Sequence, residues 1–371
     1  MNAAITAAEA LAGQHQWAQA TGYLGLPLFT HSWRYHRACL RAAEGLSAGD
    51  LPNYVGTATA GGMVFAGLER TLRRLGPIGI RTLRSPQNVY VPYWDFSVPA
   101  ACGQDTAPPD LAAVLGARDL GPWDVIQLNN VLAGTAALAA LEAQNAFAWK
   151  RWPAPQCDYL LSQDSETFLA SVSKNFRASL RKARNKLTAM ADVEFRSHTG
   201  IAAVREALVR FFALESQGWK GEATGAIAQN ARISAFYELM FEEFAQDPGG
   251  WVEINELWAE GKLLASQLCL GVADTLFVLK ICYDEGYPKV SPGNMLLEWL
   301  VTRDGGQGRV RYLNLISDSA WHRDWAASHL ENWYVEIYNR TPGGWLMKLA
   351  RGAQQRAGKH PLGLAPADGE R

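Results

Sequence analysis

The stretch Tyr287-Pro-Lys-Val-Ser-Pro-Gly-Asn-Met-Leu-Leu-Glu-Trp-Leu-Val301 constrains the fold more than any other part of the chain. The apolar run at 275–283 reads as a strand, and the residues from 293 read as an apolar helix. The chain therefore turns from sheet to helix here. Ser291 suits an N-cap and Pro292 the first helical position. Gly293 has no side chain, so another group can approach the backbone closely. Free N–H groups at such a helix start can hold a phosphate or pyrophosphate, and Lys289 adds a positive charge. Ser-Pro-Gly before a helix is also an ordinary capping signal, and both meanings stand at this point.

A chain of 371 residues, 48% hydrophobic and 19% charged, is long enough for two domains with separate cores. The formal net charge of −1 gives no global field toward DNA, so any basic surface must be local. The five cysteines, Cys39, Cys102, Cys157, Cys269 and Cys282, are scattered and form no CxxC pair. They read as free thiols in a reducing compartment, with no metal site and no disulfide framework. Met1–Leu11 has no basic region before an apolar core, and no window approaches 18 uninterrupted apolar residues. The expectation is a cytoplasmic protein. Fourteen tryptophans fit core or pocket positions, and leave open contact with the inner face of the cytoplasmic membrane.

Residues 1–50 read as helical, with a break at Leu26-Pro27. Strands are expected within 53–68, at 78–83 and 89–98, at 125–128 and within 147–161, with a helix at 133–146. Segment 165–189 reads as one long helix. Leu169, Val172, Phe176, Leu180, Ala183 and Leu187 form its apolar stripe. Lys174, Arg177, Arg181, Lys182, Arg184 and Lys186 make its other side basic, either a solvated face or a contact for anionic lipid, phosphate or nucleic acid. Beyond it, strands are expected at 191–197, 251–258, 262–271, 275–283, 310–316, 331–338 and 345–349. Helices are expected at 200–217, 230–246, from 293, and at 321–328. The division is 1–164, a bridging basic helix 165–189, a mixed α+β domain 190–351 and a polar tail 352–371.

In the second half, Glu215-Ser-Gln-Gly-Trp-Lys-Gly221, Phe236-Tyr237, Tyr283-Asp-Glu-Gly-Tyr287 and Ser291-Pro-Gly293 resemble the CelD-like acyltransferases of the GNAT superfamily, relatives of the FemAB aminoacyltransferases. The resemblance covers about 190–340. It implies tandem GNAT-like domains, a degenerate first and an acyltransferase second, each a mixed central sheet flanked by helices as in FemAB proteins. It implies acyl transfer from acyl-CoA to an amine, with the donor's pyrophosphate held at Lys289, Val290, Ser291, Gly293 and Asn294. Acyl-CoA enters as a cosubstrate, and no tightly bound cofactor is expected. The Arg/Gln-x-x-Gly-x-Gly/Ala form usual in GNAT enzymes is absent. FemAB-like proteins use aminoacyl-tRNA, so tRNA is a partner only under that alternative. Bacterial ceramide synthases, which acylate a sphingoid base, resemble the same group. A third alternative is a non-catalytic protein of envelope or polysaccharide assembly.

Attack on a thioester needs an uncharged amine, hence a proton acceptor near it, and donors for the developing oxyanion. Glu215 is the first candidate for base or amine anchor, against a plain solvated helix residue. Trp219 and Lys220 beside it suit a pocket wall and an anion contact. His322, with a reference pKa of about 6.5, is the second candidate base, against a structural histidine that bridges helix and strand. Asp318 either orients it or caps the next helix. Tyr283 is a candidate donor to the departing thiolate, against simple packing. Asn314 and Arg323 stand where relatives often carry Asp and Lys, which points to acceptor binding. His31 and His36 lie five residues apart and are given no metal role.

Overall fold

A computed structural model describes residues 3–5, 28–42, 53–59, 62–85, 93–95, 110–115, 121–217, 227–246, 249–357 and 361. The chain divides into two compact units, 1–156 with 330–371, and 157–329. Each is built on one seven-stranded sheet among the described residues.

The first unit contains β1 (Ala3–Ile5), α1 (Trp33–Ala42), β2 (Asn53–Thr59), β3 (Gly62–Leu75), β4 (Ile78–Arg84), α2 (Leu111–Leu115), β5 (Val125–Leu132), α3 (Ala136–Ala143) and β6 (Ala148–Pro153). The second contains β7 (Cys157–Leu161), α4 (Ser165–Ser171), α5 (Lys174–Leu187), β8 (Glu194–His198), α6 (Ile201–Gln217), α7 (Ala231–Phe244), β9 (Gly250–Ala259), β10 (Lys262–Val272), β11 (Thr275–Tyr283), α8 (Pro292–Thr302), β12 (Tyr312–Asn314) and β13 (Ser328–Leu330). The chain closes with β14 (Asn332–Tyr338) and α9 (Pro342–Arg356), both in the first unit.

The first sheet runs β1-β2-β3-β4-β5-β14-β6, so the last strand in sequence is inserted between β5 and β6. The expected boundaries give 331–338 to the second domain and 157–161 to the first; the pairing does the reverse for both. β14 pairs β5 and β6 antiparallel, while β7 pairs β12 antiparallel in the second sheet. Both strands are short and half apolar, so periodicity alone carries no address for them.

Leu83, Ile126, Leu128, Val335 and Ile337 face α2 and α3 in the first core. The N-terminus of α3 is held by Asp95, whose carboxylate accepts from Ala137 N at 2.7 Å and Ala136 N at 3.1 Å. His31 Nε2 lies 2.7 Å from the same carboxylate, which gives that imidazole a structural partner.

The second sheet runs β13-β7-β12-β11-β10-β9-β8. The β9–β10 hairpin turns at Glu260 and Gly261, both at positive φ (53° and 70°), the conformation a tight two-residue hairpin requires. The expected long helix 165–189 is two helices. The first ends at Ser171, with the extended Val172 as its C-cap, and Ser173 caps the second, its Oγ accepting from Phe176 N at 3.1 Å. The expected apolar stripe, Phe176, Leu180, Ala183 and Leu187, lies in the second unit's core against Leu296, Leu297 and Leu300 of α8. The helix is thus part of this core; it was expected to bridge two domains.

Other expectations are corrected. Residues 3–5 form a strand paired with β2, not a helix. Residues 345–349 lie inside α9, where Thr341 accepts from Gly344 N at 3.1 Å and Pro342 opens the helix; α9 also takes in the start of the expected tail. The strand expected at 310–316 shrinks to 312–314, and 321–328 is a 3₁₀ turn (Ala320–Trp325) leading into β13. Much of the expected strand at 89–98 lies outside the described residues, and 93–95 is not strand. Among the described residues, no helix is long and apolar enough to cross a membrane.

Candidate active site

The parallel pairing of β11 with β12 covers only Thr275–Phe277 against Tyr312–Asn314. β12 stops there, while β11 continues through Val278 to Tyr283, paired with β10 as its strand partner among the described residues. The β10–β11 register shifts at Leu268/Cys269, an irregularity of the kind that turns an edge away from its neighbour. β11 thus extends past the end of β12 in the sheet.

β11 leads into the predicted junction. Val290 N donates to Tyr287 O at 3.0 Å and Ser291 N to the same oxygen at 3.3 Å, which tightens the loop before α8. Ser291 occupies the cap position but not the expected capping role. It sits in the left-handed region (φ 49°), and its Oγ bonds Pro288 O at 3.3 Å, not a helix N–H. Pro292 has no N–H, so Gly293 and Asn294 carry the first donors that helix geometry leaves without an intrahelical partner. Lys289 is exposed, Val290 is buried in the core, and Gly293 and Asn294 are half-buried.

Gly293 is explained by a neighbour within the chain. A Cβ there would lie 3.0 Å from Tyr283 Cδ1. The half-exposed Tyr283 ring therefore lies against the helix start, which brings together the residues expected to hold the donor's phosphates and the residue expected to meet its sulfur.

Glu215 lies in the last turn of α6 and is buried. One oxygen accepts from Ile227 N at 2.8 Å, tying the helix end to the 3₁₀ turn Ile227–Gln229. It is not a solvated helix residue. Trp219 and Lys220 lie outside the described residues.

At the carboxyl end of β12, Asn314 is buried; its Oδ1 accepts from Ile316 N at 2.9 Å and from Cys157 Sγ at 3.3 Å. Both contacts lie at the end of β12, the place expected for acceptor binding. His322 is 1% exposed, and its Nδ1 lies 2.8 Å from Asp158 Oδ2. The expected orienting residue, Asp318, is exposed and acts on His322 only as a weaker nearby charge; Asp158 of β7 takes the orienting place. Burial lowers the His322 pKa below the ordinary imidazole value, while Asp158 and Asp318 pull the other way. Burial thus favours the neutral ring, the form that can accept a proton. Trp321 packs edge-on to it at 4.1 Å and is 41% exposed, and Arg323 is exposed.

Asp158 and a second imidazole on it, His329, were not anticipated. They lie 164 and 171 residues from their partners, and no motif spans such distances. Among the described residues, no group of three or more His, Cys, Asp or Glu could hold a metal ion.

Residues 174–323 match the acetyltransferase (GNAT) domain family. No curated protein matches the chain. Among solved structures, FemX is similar at 11% identity and a TM-score of 0.56, over 90% of this chain and 96% of that one. A conserved protein of unknown function from Bacteroides thetaiotaomicron VPI-5482 is similar at 13% identity and a TM-score of 0.54, over 89% and 97%. At such identities the likeness is one of fold. The chain therefore has a two-unit α+β fold similar to that of FemX, and its segment 174–323 carries the similarity to the GNAT acetyltransferase family.

Proposed function

We propose that this protein is an acyl-CoA-dependent N-acyltransferase that forms an amide on a primary amine. One observation carries the proposal. β11 runs past its parallel partner and delivers the chain, through Lys289, to a helix start with donors at Gly293 and Asn294. That arrangement suits an anionic carrier held at the helix start, with its thioester beside the part of β11 that runs past β12. The family match over 174–323 supports acyl transfer as the reaction class.

In the proposed reaction the amine nitrogen attacks the thioester carbonyl. A C–N bond forms, the C–S bond breaks, and the nitrogen's proton is taken by a base. We assign that base to His322, with Glu215 as amine anchor, because Asp158 orients the His322 ring and burial favours its neutral form. Tyr283 is assigned the proton donated to the departing thiolate, on the strength of its contact with the α8 start. The exposed Trp321 beside His322 favours a long-chain amine such as a sphingoid base as the acceptor.

The test is a product screen by intact mass, with acyl-CoAs of several chain lengths against amino acids, amino sugars and sphingoid bases. Amide on the sphingoid bases alone supports the full proposal. Amide on another class corrects the acceptor. No amide, together with no saturable binding of CoA or long-chain acyl-CoA, rejects it.

A second reading, transfer from an aminoacyl-tRNA, has one observation in its favour. Lys174, Arg177, Arg181, Lys182 and Lys186 are exposed along α5, and none forms an ion pair among the described residues. Arg184 alone is paired, with Glu298 of α8. Such a row suits a polyphosphate backbone. Salt-sensitive tRNA binding, together with amide formation from aminoacyl-tRNA and not from acyl-CoA, would establish this reading.

A further inference from the structure

Asp158 carries two imidazoles. Its Oδ2 lies 2.8 Å from His322 Nδ1 and its Oδ1 lies 2.5 Å from His329 Nδ1. The carboxylate is 2% exposed and the His322 residue 1%, whereas the His329 side chain is 49% exposed. One buried carboxylate thus joins a buried ring to a half-exposed one.

Backbone bonds already fix this part of the strand. Asp158 N donates to Ser317 O at 3.0 Å and Leu315 N donates to Asp158 O at 2.8 Å. The side chain is therefore not needed to keep β7 against the chain that leaves β12. What it does settle is the tautomer of His322. A carboxylate accepts at both oxygens, so each Nδ1 facing it carries its proton, and the lone pair of a neutral ring is left on Nε2.

The location connects this group to the proposed chemistry. β11 and β12 are parallel, so their carboxyl ends lie at the same end of the sheet. Asp158 and His322 sit where the chain leaves β12, the end toward which β11 runs on to Tyr283 and α8. Open sheets with parallel strands put their ligands at this end.

We propose that Asp158 is the positioning residue that makes His322 the base of the acyl-transfer reaction, and that His329 tunes it from solvent by competing for the same carboxylate. The inference rests on the N-acyltransferase reading above. In the step, His322 Nε2 takes the proton lost by the attacking nitrogen as the C–N bond forms. The resulting imidazolium is stabilised by the Asp158 carboxylate. The charged groups acting on His322 are Asp158 from β7 and, more weakly, Asp318 from the loop after β12; His329 meets Asp158.

The experiment uses the full chain with the donor and acceptor found in the product screen. Asp158→Asn removes the carboxylate that fixes the tautomer and should lower kcat by about 100-fold or more, with donor KM little changed. ¹⁵N histidine NMR without substrate should show His322 protonated at Nδ1 in the wild type, and a mixture of tautomers in D158N. His329→Ala is the second variant, at a half-exposed position that folding tolerates. It leaves Asp158 to His322 alone, so the acid limb of the kcat/KM profile should move to higher pH by about one pH unit. An unmoved limb in H329A, or wild-type kcat in a D158N whose tautomer has changed, overturns the proposal while leaving the acyltransferase reading intact. Absence of any acyl transfer by the wild type overturns both.

Discussion

Glu336 is fully buried on β14, and four side chains donate to its carboxylate. Arg351 of α9 donates to it from Nε and Nη2 at 2.8–3.0 Å, Gln127 at 2.8 Å, Tyr334 at 2.6 Å and Tyr338 at 2.9 Å. Burial, with the carboxylate alongside, pushes both phenols far above their ordinary range, so they remain donors at all working pH values. Removing the cation strands the anion. Arg351→Met should lower unfolding free energy by about 3–5 kcal/mol, read by urea denaturation. Glu336→Gln combined with it should recover part of the loss, because the charge to be buried is gone. Asp124 gives a second residue-scale test. Arg81 binds its carboxylate through Nε at 2.9 Å and Nη2 at 2.6 Å, and Thr341 adds a bond at 2.7 Å. The Arg81 bonds, opposed by burial and helped by Thr341, hold it down at about 2. A carboxylate with a depressed folded pKa contributes stability that is complete above its unfolded value, near 4, and lost as pH falls toward 2. The stability gap between wild type and Asp124→Asn should therefore be constant above about pH 5 and close between about pH 4 and 2, as followed by acid titration of the melting temperature. A gap that does not close would mean the Arg81–Asp124 pair contributes nothing to acid sensitivity.

At the scale of elements, the junction between β11 and α8 is where local sequence and tertiary contact have to agree. The Ser-Pro-Gly signal locates the helix start, and α8 begins at Pro292 as a first-position proline should. What local sequence does not contain is the partner of Gly293. A Cβ there meets the Tyr283 ring at 3.0 Å. Gly293→Ala should therefore leave the melting temperature equal or slightly higher, since alanine favours helix by about 1 kcal/mol over glycine. It should also displace Tyr283 and raise the donor KM several-fold. Tyr283→Ala, which removes the ring, should lower kcat and relieve the clash when combined with G293A. If G293A binds acyl-CoA like the wild type, the junction is not the carrier site. Ser291 shows the opposite case. Its residue type predicts a cap, but the loop Tyr287–Ser291 holds it at φ 49° and the hydroxyl turns to Pro288. Loop closure outweighed a capping bond of about 1 kcal/mol.

At the scale of the whole molecule, the near-neutral net charge conceals a local asymmetry. A formal charge of −1 predicts no affinity for polyanions, yet α5 presents five exposed cations without an exposed acid on the same helix. Its apolar side is committed to the second core, so insertion of that face into a bilayer would require unfolding. Charge is all it can offer a partner. Replacing Arg177 and Arg181 with Gln should leave stability within about 0.5 kcal/mol, as expected for surface positions. It should reduce the salt slope of tRNA binding by about one to two phosphate contacts if the carrier is tRNA. It should leave the KM for acyl-CoA unchanged if the carrier is CoA. A fluorescence titration at two salt concentrations separates the outcomes.

The sequence by itself determined the elements with strong period and clear ends: the β9–β10 hairpin at Glu260-Gly261, the limits of β11, the start of α8 and the apolar stripe of α5. In each, the residues that decide the conformation lie within a few positions of one another. The tertiary structure decided which sheet β7 and β14 enter, because short strands pair through backbone groups that all residues share. It also decided the surroundings of His322. The sequence offered Asp318, four residues away, and the fold supplied Asp158 and His329 from two other strands. A hydrogen bond needs atoms about 3 Å apart, and only the folded sheet brings residues so distant in the chain that close.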